Sequence, residues 1–296
     1  MIRRGDLVRL IALAAIWGAS FVFIRVLAPV LGPAWTAEGR VLIAGVALVG
    51  WFAVTRFDTE FARRWPLYAV IGIMSSAIPF LLFGFAGLHL PASYMVILNS
   101  ATPLFTAVAA AIWLDERLTA GKLAGLVTGA AGVVLVSRAG PVEPDRMFAL
   151  AVAACLGATL CYALASVYLK RRSAGAKPTA VAGWSQLLAA AVLMPLALAN
   201  PPTAHVTPAV VANLLALALL CSALAYILYF RLIHDIGPTK ALTVTFLMPA
   251  FGVLWGALFL GEAITWPMLA GGALIVAGTA AVLRPAPVRS AATMPR

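Results

Sequence analysis

The stretch 92–113 carries four residues whose types and spacing suggest chemistry. Asn99, Thr102, Pro103 and Thr106 fall at i, i+3, i+4 and i+7, which is one face of a helix. A polar stripe on an otherwise apolar helix must face protein or water rather than lipid. Proline has no amide donor, so Pro103 leaves a carbonyl free about one turn earlier, beside Asn99. Such a face offers neutral hydrogen bonds to a small molecule. The stretch 239–260 repeats the spacing with Thr245, Met248, Pro249 and Gly252, without the asparagine. Trp17 lies in the middle of an apolar run, where its indole N–H needs a partner. Ser76 and Phe83, and later Tyr226, combine small residues that let helices approach with aromatics that build slots. Tyr162 and Ser166 share a face at i and i+4. The expected small-molecule-binding residues are therefore Trp17, Ser76, Phe83, Asn99, Thr102, Tyr162, Ser166, Tyr226, Thr245 and Met248.

Several chemistries find no residues. There is no G-x4-G-K-[ST] phosphate loop and no H-E-x2-H, so ATP hydrolysis and zincin-type proteolysis are not expected. His89, His205 and His234 are scattered, and Cys155, Cys161 and Cys221 sit in apolar runs as packing residues. No metal and no cofactor are expected. Arg25 reads as a residue that snorkels to the interface. Glu38 and Arg40 are two apart on a helix and do not face each other, so Arg40 is expected to bond to backbone or to a neighbouring helix. Glu116 and Glu262 are expected to hydrogen-bond in the turns after their helices. No carboxylate and no basic cluster lies at mid-depth. That argues against a cation antiporter and against phosphorylated cargo, which would want Arg or Lys. An intramembrane enzyme would need a base or second acid beside Asn99 or the serines, and none is present.

The elements that position these residues follow from composition. Of 296 residues, 63% are apolar and 10% are charged, against about 45–50% and roughly 25% in soluble domains. This excludes an ordinary soluble enzyme. Apolar runs of about 20 residues, the length that crosses a bilayer, occur at 7–28, 34–54, 67–87, 92–113, 121–137, 147–168, 179–199, 208–230, 239–260 and 265–283. The expected fold class is an all-α membrane protein of ten transmembrane helices. The start resembles a signal peptide, but the run continues to Ile24 without a convincing cleavage site, so a retained first helix is expected. With the N-terminus inside, 17 basic residues fall on the cytoplasmic side and two, Arg138 and Arg146, outside. This positive-inside bias predicts both termini in the cytoplasm. It accounts for the formal charge of +11 without nucleic acid. The partners expected are the lipid bilayer and a small-molecule substrate, with a monomer favoured. The Pro/Ala-rich tail 285–296 is expected to be short and cytoplasmic.

The chain also repeats itself. Residues 71–90 align with 217–236, so that Ser76 faces Ser222 and Phe80 faces Tyr226. At the same offset Pro103 faces Pro249, Glu116 faces Glu262, Gly125 faces Gly271, Gly132 faces Gly278, and Arg40 faces Gln186. Two copies of five spans, 1–138 and 147–284, must sit inverted to one another because five is odd. Inverted repeats that meet near the midplane are a common architecture of secondary transporters. The glycine pairs Gly125-x3-Gly129 and Gly252-x3-Gly256 are expected to pack inside the bundle.

Trp17-Gly18-x-Ser20-Phe21, Arg40, and Pro103-x12-Glu116 with Gly125 and Gly132 resemble the drug/metabolite transporter superfamily. Gly237-Pro238, Pro249-x12-Glu262, Gly271 and Gly278 resemble the second repeat of its ten-span EamA-type exporters. The resemblance implies a central cavity lined by spans 1, 3, 4, 6, 8 and 9, with spans 5 and 10 peripheral. It also implies an exporter located in a bacterial-type inner membrane. Combined with a neutral, aromatic set of candidates, the expected activity is alternating-access export of neutral and aromatic amino acids. The alternative is export of nucleosides or drug-like amphiphiles.

Overall fold

The computed structural model describes residues 3–116, 118–138, 145–202, 204–241 and 243–283. Arg117 and Arg284, two of the basic residues counted above, and the tail 285–296 lie outside them. The described residues are helical throughout, with short connections. Seven helices are long and apolar enough to cross a membrane. They are α1 (Arg4–Thr55), α2 (Phe61–His89), α3 (Ala92–Trp113), α4 (Ala120–Arg138), α5 (Arg146–Arg172), α6 (Pro178–Ala199) and α7 (Pro208–Ile236). Two shorter apolar helices follow, α8 (Val244–Leu260) and α9 (Trp266–Val282).

Local chemistry explains the ends and the breaks. α1 is interrupted at Gly32, whose φ of 74° and ψ of 164° are not helical. Glycine tolerates this region because it has no Cβ, and Pro29 and Pro33 flank the break. Asp145 caps α5 by accepting from the Phe148 amide at 2.6 Å. α6, α7 and α9 open with proline in the first turn, where its missing donor costs nothing. α7 ends at Gly237, with φ at 83°.

α1 is the hub, packing on α2, α6, α7 and α8. α4 and α9 pack mainly on each other, away from that hub. Their contact is made by glycines. A Cβ on Gly125 would lie 2.7 Å from the Gly278 carbonyl, and one on Gly132 would lie 2.6 Å from that of Gly271. A Cβ on Gly18 would likewise lie 2.9 Å from the Gly252 amide of α8. The outward surface is apolar, with Val54, Val127, Leu198, Leu258 and Phe259 exposed, as a lipid-facing surface requires.

Features in the two halves of the chain recur at the offset found in the sequence. α2 contains a π-helical stretch at Ile73–Ala77, and α7 contains one at Leu219–Leu224. The Glu116 amide donates to the Ala110 carbonyl at 3.3 Å, and the Glu262 amide donates to that of Gly256 at 3.2 Å. Arg40 Nε donates to Ser222 Oγ at 2.9 Å, and Gln186 Nε2 donates to Ser76 Oγ at 3.1 Å.

Two expectations need correction. α3 is not one continuous helix but breaks at Ser100–Ala101. The carbonyl that Pro103 frees is also not left open, because Thr102 Oγ1 donates to the Asn99 carbonyl at 2.7 Å. Thr279 Oγ1 likewise donates to the Ser100 carbonyl at 3.1 Å. In lipid every backbone group needs such a partner, so hydroxyls gather at the break.

Candidate functional site

A cavity of about 460 Å³ lies among α1, α2, α3, α5, α7 and α8, within the range of roughly 300–1,000 Å³ usual for small-molecule sites. α1 contributes Trp17, Ser20, Phe21 and Ile24 from its first half and Arg40 from its second. α2 contributes Ser75, Phe80 and Phe83, and α3 contributes Asn99, Ser100, Thr102, Pro103 and Thr106. Tyr162 and Ser166 come from α5, Tyr226 and Tyr229 from α7, and Val244, Thr245 and Met248 from α8. Nine of the ten candidates from sequence therefore line one space.

Ser76 is the exception. It is wholly buried and accepts a hydrogen bond from Gln186 behind the wall, while its neighbour Ser75 lines the cavity. The π-helical stretch holds one extra residue per turn. It shifts the helical phase that a regular α-helix would give these two serines. Ser75 Oγ in turn donates to the Ile71 carbonyl at 2.6 Å.

Aromatic rings form much of the wall. Trp17 lies edge-on to Tyr226 at 6.5 Å and tilted on Tyr229 at 5.3 Å. Phe21 meets Phe83 edge-on at 5.3 Å, and Phe83 stacks with Tyr162 at 6.4 Å. The polar groups between them are mostly neutral. Thr106 Oγ1 donates to the Thr102 carbonyl and Ser166 Oγ to the Tyr162 carbonyl. Asn99 Oδ1 is buried and has no hydrogen-bond partner. Leaving such an acceptor unsatisfied costs roughly 1–3 kcal/mol, which a hydrogen-bonding ligand can relieve.

Arg40 bonds to a neighbouring helix as expected, through Ser222 of α7, and it also lines the cavity. The signal was present, since an ionisable residue inside a span is a functional candidate by default. What the sequence did not give was its direction. Arg25, expected to snorkel, instead donates to the carbonyls of Gly87 and Leu88 at the end of α2. Glu38 is wholly buried away from the cavity, with neither carboxyl oxygen hydrogen-bonded. Trp65 and Trp113 are exposed, whereas the Trp35 indole nitrogen is buried without a hydrogen-bond partner.

The two ends of the cavity differ. At one end a second space of about 200 Å³ shares Pro103, Thr106, Ser166 and Leu283 with the first and extends to Glu116, Lys122 and Lys170. Glu116 pairs there with Lys170 at 2.8 Å and Lys122 at 3.3 Å. The hydrogen bond from Lys170, more than any other contact, holds its carboxyl below the usual glutamate range. Glu262, its counterpart, closes its own turn through its amide, which donates to the Gly256 carbonyl, but its side chain does more. Its carboxylate reaches the start of α3 and accepts from the amides of Ala92 at 2.6 Å and Ser93 at 2.9 Å, and from the Ser93 hydroxyl. Among the described residues no group of His, Cys, Asp and Glu could hold a metal.

Comparison with known proteins agrees with this architecture. The EamA-like transporter family model matches residues 5–138 and again 149–284. The chain belongs to the EamA-like transporter family and is a multi-pass membrane transporter of small molecules, not an enzyme. It is 27% identical to a probable terminal-alkyne amino-acid exporter of Streptantibioticus cattleyicolor, over 90% of each chain. It is 24% identical to an uncharacterized transporter, YvbV, of Bacillus subtilis, over 89% of this chain and 87% of that one. It is 23% identical to a probable amino-acid metabolite efflux pump of Salmonella typhimurium, over 89% of each. A solved crystal structure superimposes with a TM-score of 0.66 at 21% identity, over 95% of this chain and 96% of the other. That likeness speaks for the fold alone.

Proposed function

We propose that the protein is a secondary transporter or facilitator that exports small metabolites with an apolar body, above all neutral and aromatic amino acids, by alternating access. The observation that carries this reading is the aromatic-walled cavity, with the unpartnered Asn99 Oδ1 in its lining. Rings suit an apolar body, and neutral hydrogen-bonding groups suit a zwitterion better than a free cation. Two relatives whose names mention amino-acid export support the cargo class.

The two halves of α1, the helices α2–α7 and the shorter α8 and α9 make ten crossings under this reading. They form two inverted repeats, 1–138 and 147–284, with both termini in the cytoplasm of an inner-membrane protein that works as a monomer. Alternating access is supported by the unequal glutamates. Glu262 holds the start of α3, while its counterpart Glu116 is held by lysines beside the open extension of the cavity. The basic residues beside that extension support a cytoplasmic side for it.

Purified protein in liposomes tests this reading. Saturable uptake of labelled phenylalanine and leucine, absent from empty vesicles, is the expected result. A repeat with an imposed pH gradient reports coupling. Tight vesicles that carry nucleosides and no amino acid would overturn the cargo class.

A further inference from the structure

Arg40 makes one hydrogen bond that does not require its charge and one ring contact that does. It is 7% exposed and lines the cavity. Its guanidinium carbon lies 3.8 Å from the centre of the Phe80 ring. Its Nε donates to Ser222 Oγ, and among the described residues that is its one hydrogen bond. No carboxylate of the described residues pairs with it. Glu38, two residues away, has both oxygens buried without partners. The counterpart bond, from Gln186 to Ser76, is made by a neutral amide. Joining the helices at this position therefore needs a donor and not a cation. A buried cation without a counter-ion is costly, so the charge calls for a partner that arrives from the cavity.

We propose that Arg40 anchors the carboxylate of the cargo and thereby selects monoanionic or zwitterionic carboxylates over amines, amides and nucleosides. This rests on the export reading of the same cavity and narrows its substrate class. With Nε held by Ser222, both Nη groups remain for the ligand, and a guanidinium fork matches a carboxylate edge. One guanidinium balances one negative charge, whereas a phosphoryl dianion would leave a charge unmatched. The aromatic rings receive the body of the molecule.

The test is ligand-induced thermal stabilisation of the purified protein in detergent, with phenylalanine, 3-phenylpropionate, phenylalaninamide, phenethylamine and uridine as probes. Arg40→Gln is the informative variant, because Gln186 shows that glutamine can serve the same contact. Arg40→Lys keeps the charge without the fork. The two carboxylates are expected to stabilise the wild type, and the amide, amine and nucleoside to bind at least ten-fold more weakly, the size of a lost charge-assisted bond. Arg40→Gln, with an unchanged melting temperature when no probe is added, should lose that preference, and Arg40→Lys should keep part of it. Equal binding of phenylalanine and its amide to the wild type would overturn the inference, as would a preference that survives Arg40→Gln. Uridine stabilisation without carboxylate stabilisation would overturn it while leaving an export function standing. Failure of every probe to bind would overturn both.

Discussion

The Glu262 carboxylate accepts a hydrogen bond from the Ser93 amide at 2.9 Å, although 169 residues separate the two along the chain. The bond joins the turn after α8 to the start of α3, so a residue in one half of the chain caps a helix of the other. A carboxylate at a helix N-terminus satisfies orphan donors and meets the positive end of the helix dipole.

Glu262→Ala should therefore leave the amides of Ala92 and Ser93 without their partner. We expect a loss of about 2 kcal/mol, from the cap and from its charge-assisted bonds. Thermal unfolding in detergent reads it as a lower melting temperature. Glu116→Ala should cost much less, because half-exposed ion pairs contribute about 0–1 kcal/mol. Equal losses in the two variants would contradict the unequal roles of the two glutamates.

The ion pairs of Glu116 should respond to acid. Its carboxyl is held below the usual glutamate range chiefly by the Lys170 hydrogen bond. A group whose folded pKa is depressed adds stability above its unfolded value, near 4.3 for glutamate. That stability is lost as pH falls through the lower folded value. The difference in melting temperature between wild type and Lys170→Met should thus be constant from pH 6 to 8. It should shrink below about pH 4.3. A difference that grows with acid would contradict this assignment.

The contact between α4 and α9 leaves no room for a side chain at its glycines. Gly125→Val should drive a branched side chain into the Gly278 carbonyl, which already lies 2.7 Å from an ideal Cβ. Overpacking of this kind costs typically about 1–3 kcal/mol. Gly50, with nothing within 4 Å of its ideal Cβ, gives the control substitution Gly50→Val. Flux per folded molecule should be unchanged in Gly125→Val, because both helices lie away from the hub. A flux loss larger than the loss of folded protein would give α4 a role in transport.

Much of the architecture was readable from the residues. The run 179–199 became Pro178–Ala199, and the run 121–137 became Ala120–Arg138, because long apolar segments bounded by charge and proline leave few alternatives. The polar stripe of α3 was readable for a similar reason, since polar groups in a membrane helix have few places to face. Ser75 and Ser76 were not separable, because an inserted π turn leaves no mark in composition and yet resets the phase. The break at Ser100–Ala101 was half visible in Pro103, but the hydroxyls that stabilise it depend on local geometry and on Thr279 of α9. The direction of Arg40 and the reach of Glu262 depend on contacts between the halves of the chain. No local pattern encodes those contacts.

The proposed route of the cargo runs through this cavity. The most direct measurement is uptake of labelled phenylalanine into liposomes holding equal amounts of wild type or Asn99→Ala. Asn99 lines the cavity and its Oδ1 has no protein partner, so its removal should not lower the melting temperature. We expect at least a ten-fold loss of saturable flux, equivalent to about 1.4 kcal/mol, in a variant that remains folded and monodisperse. Unchanged flux at equal protein level would contradict it.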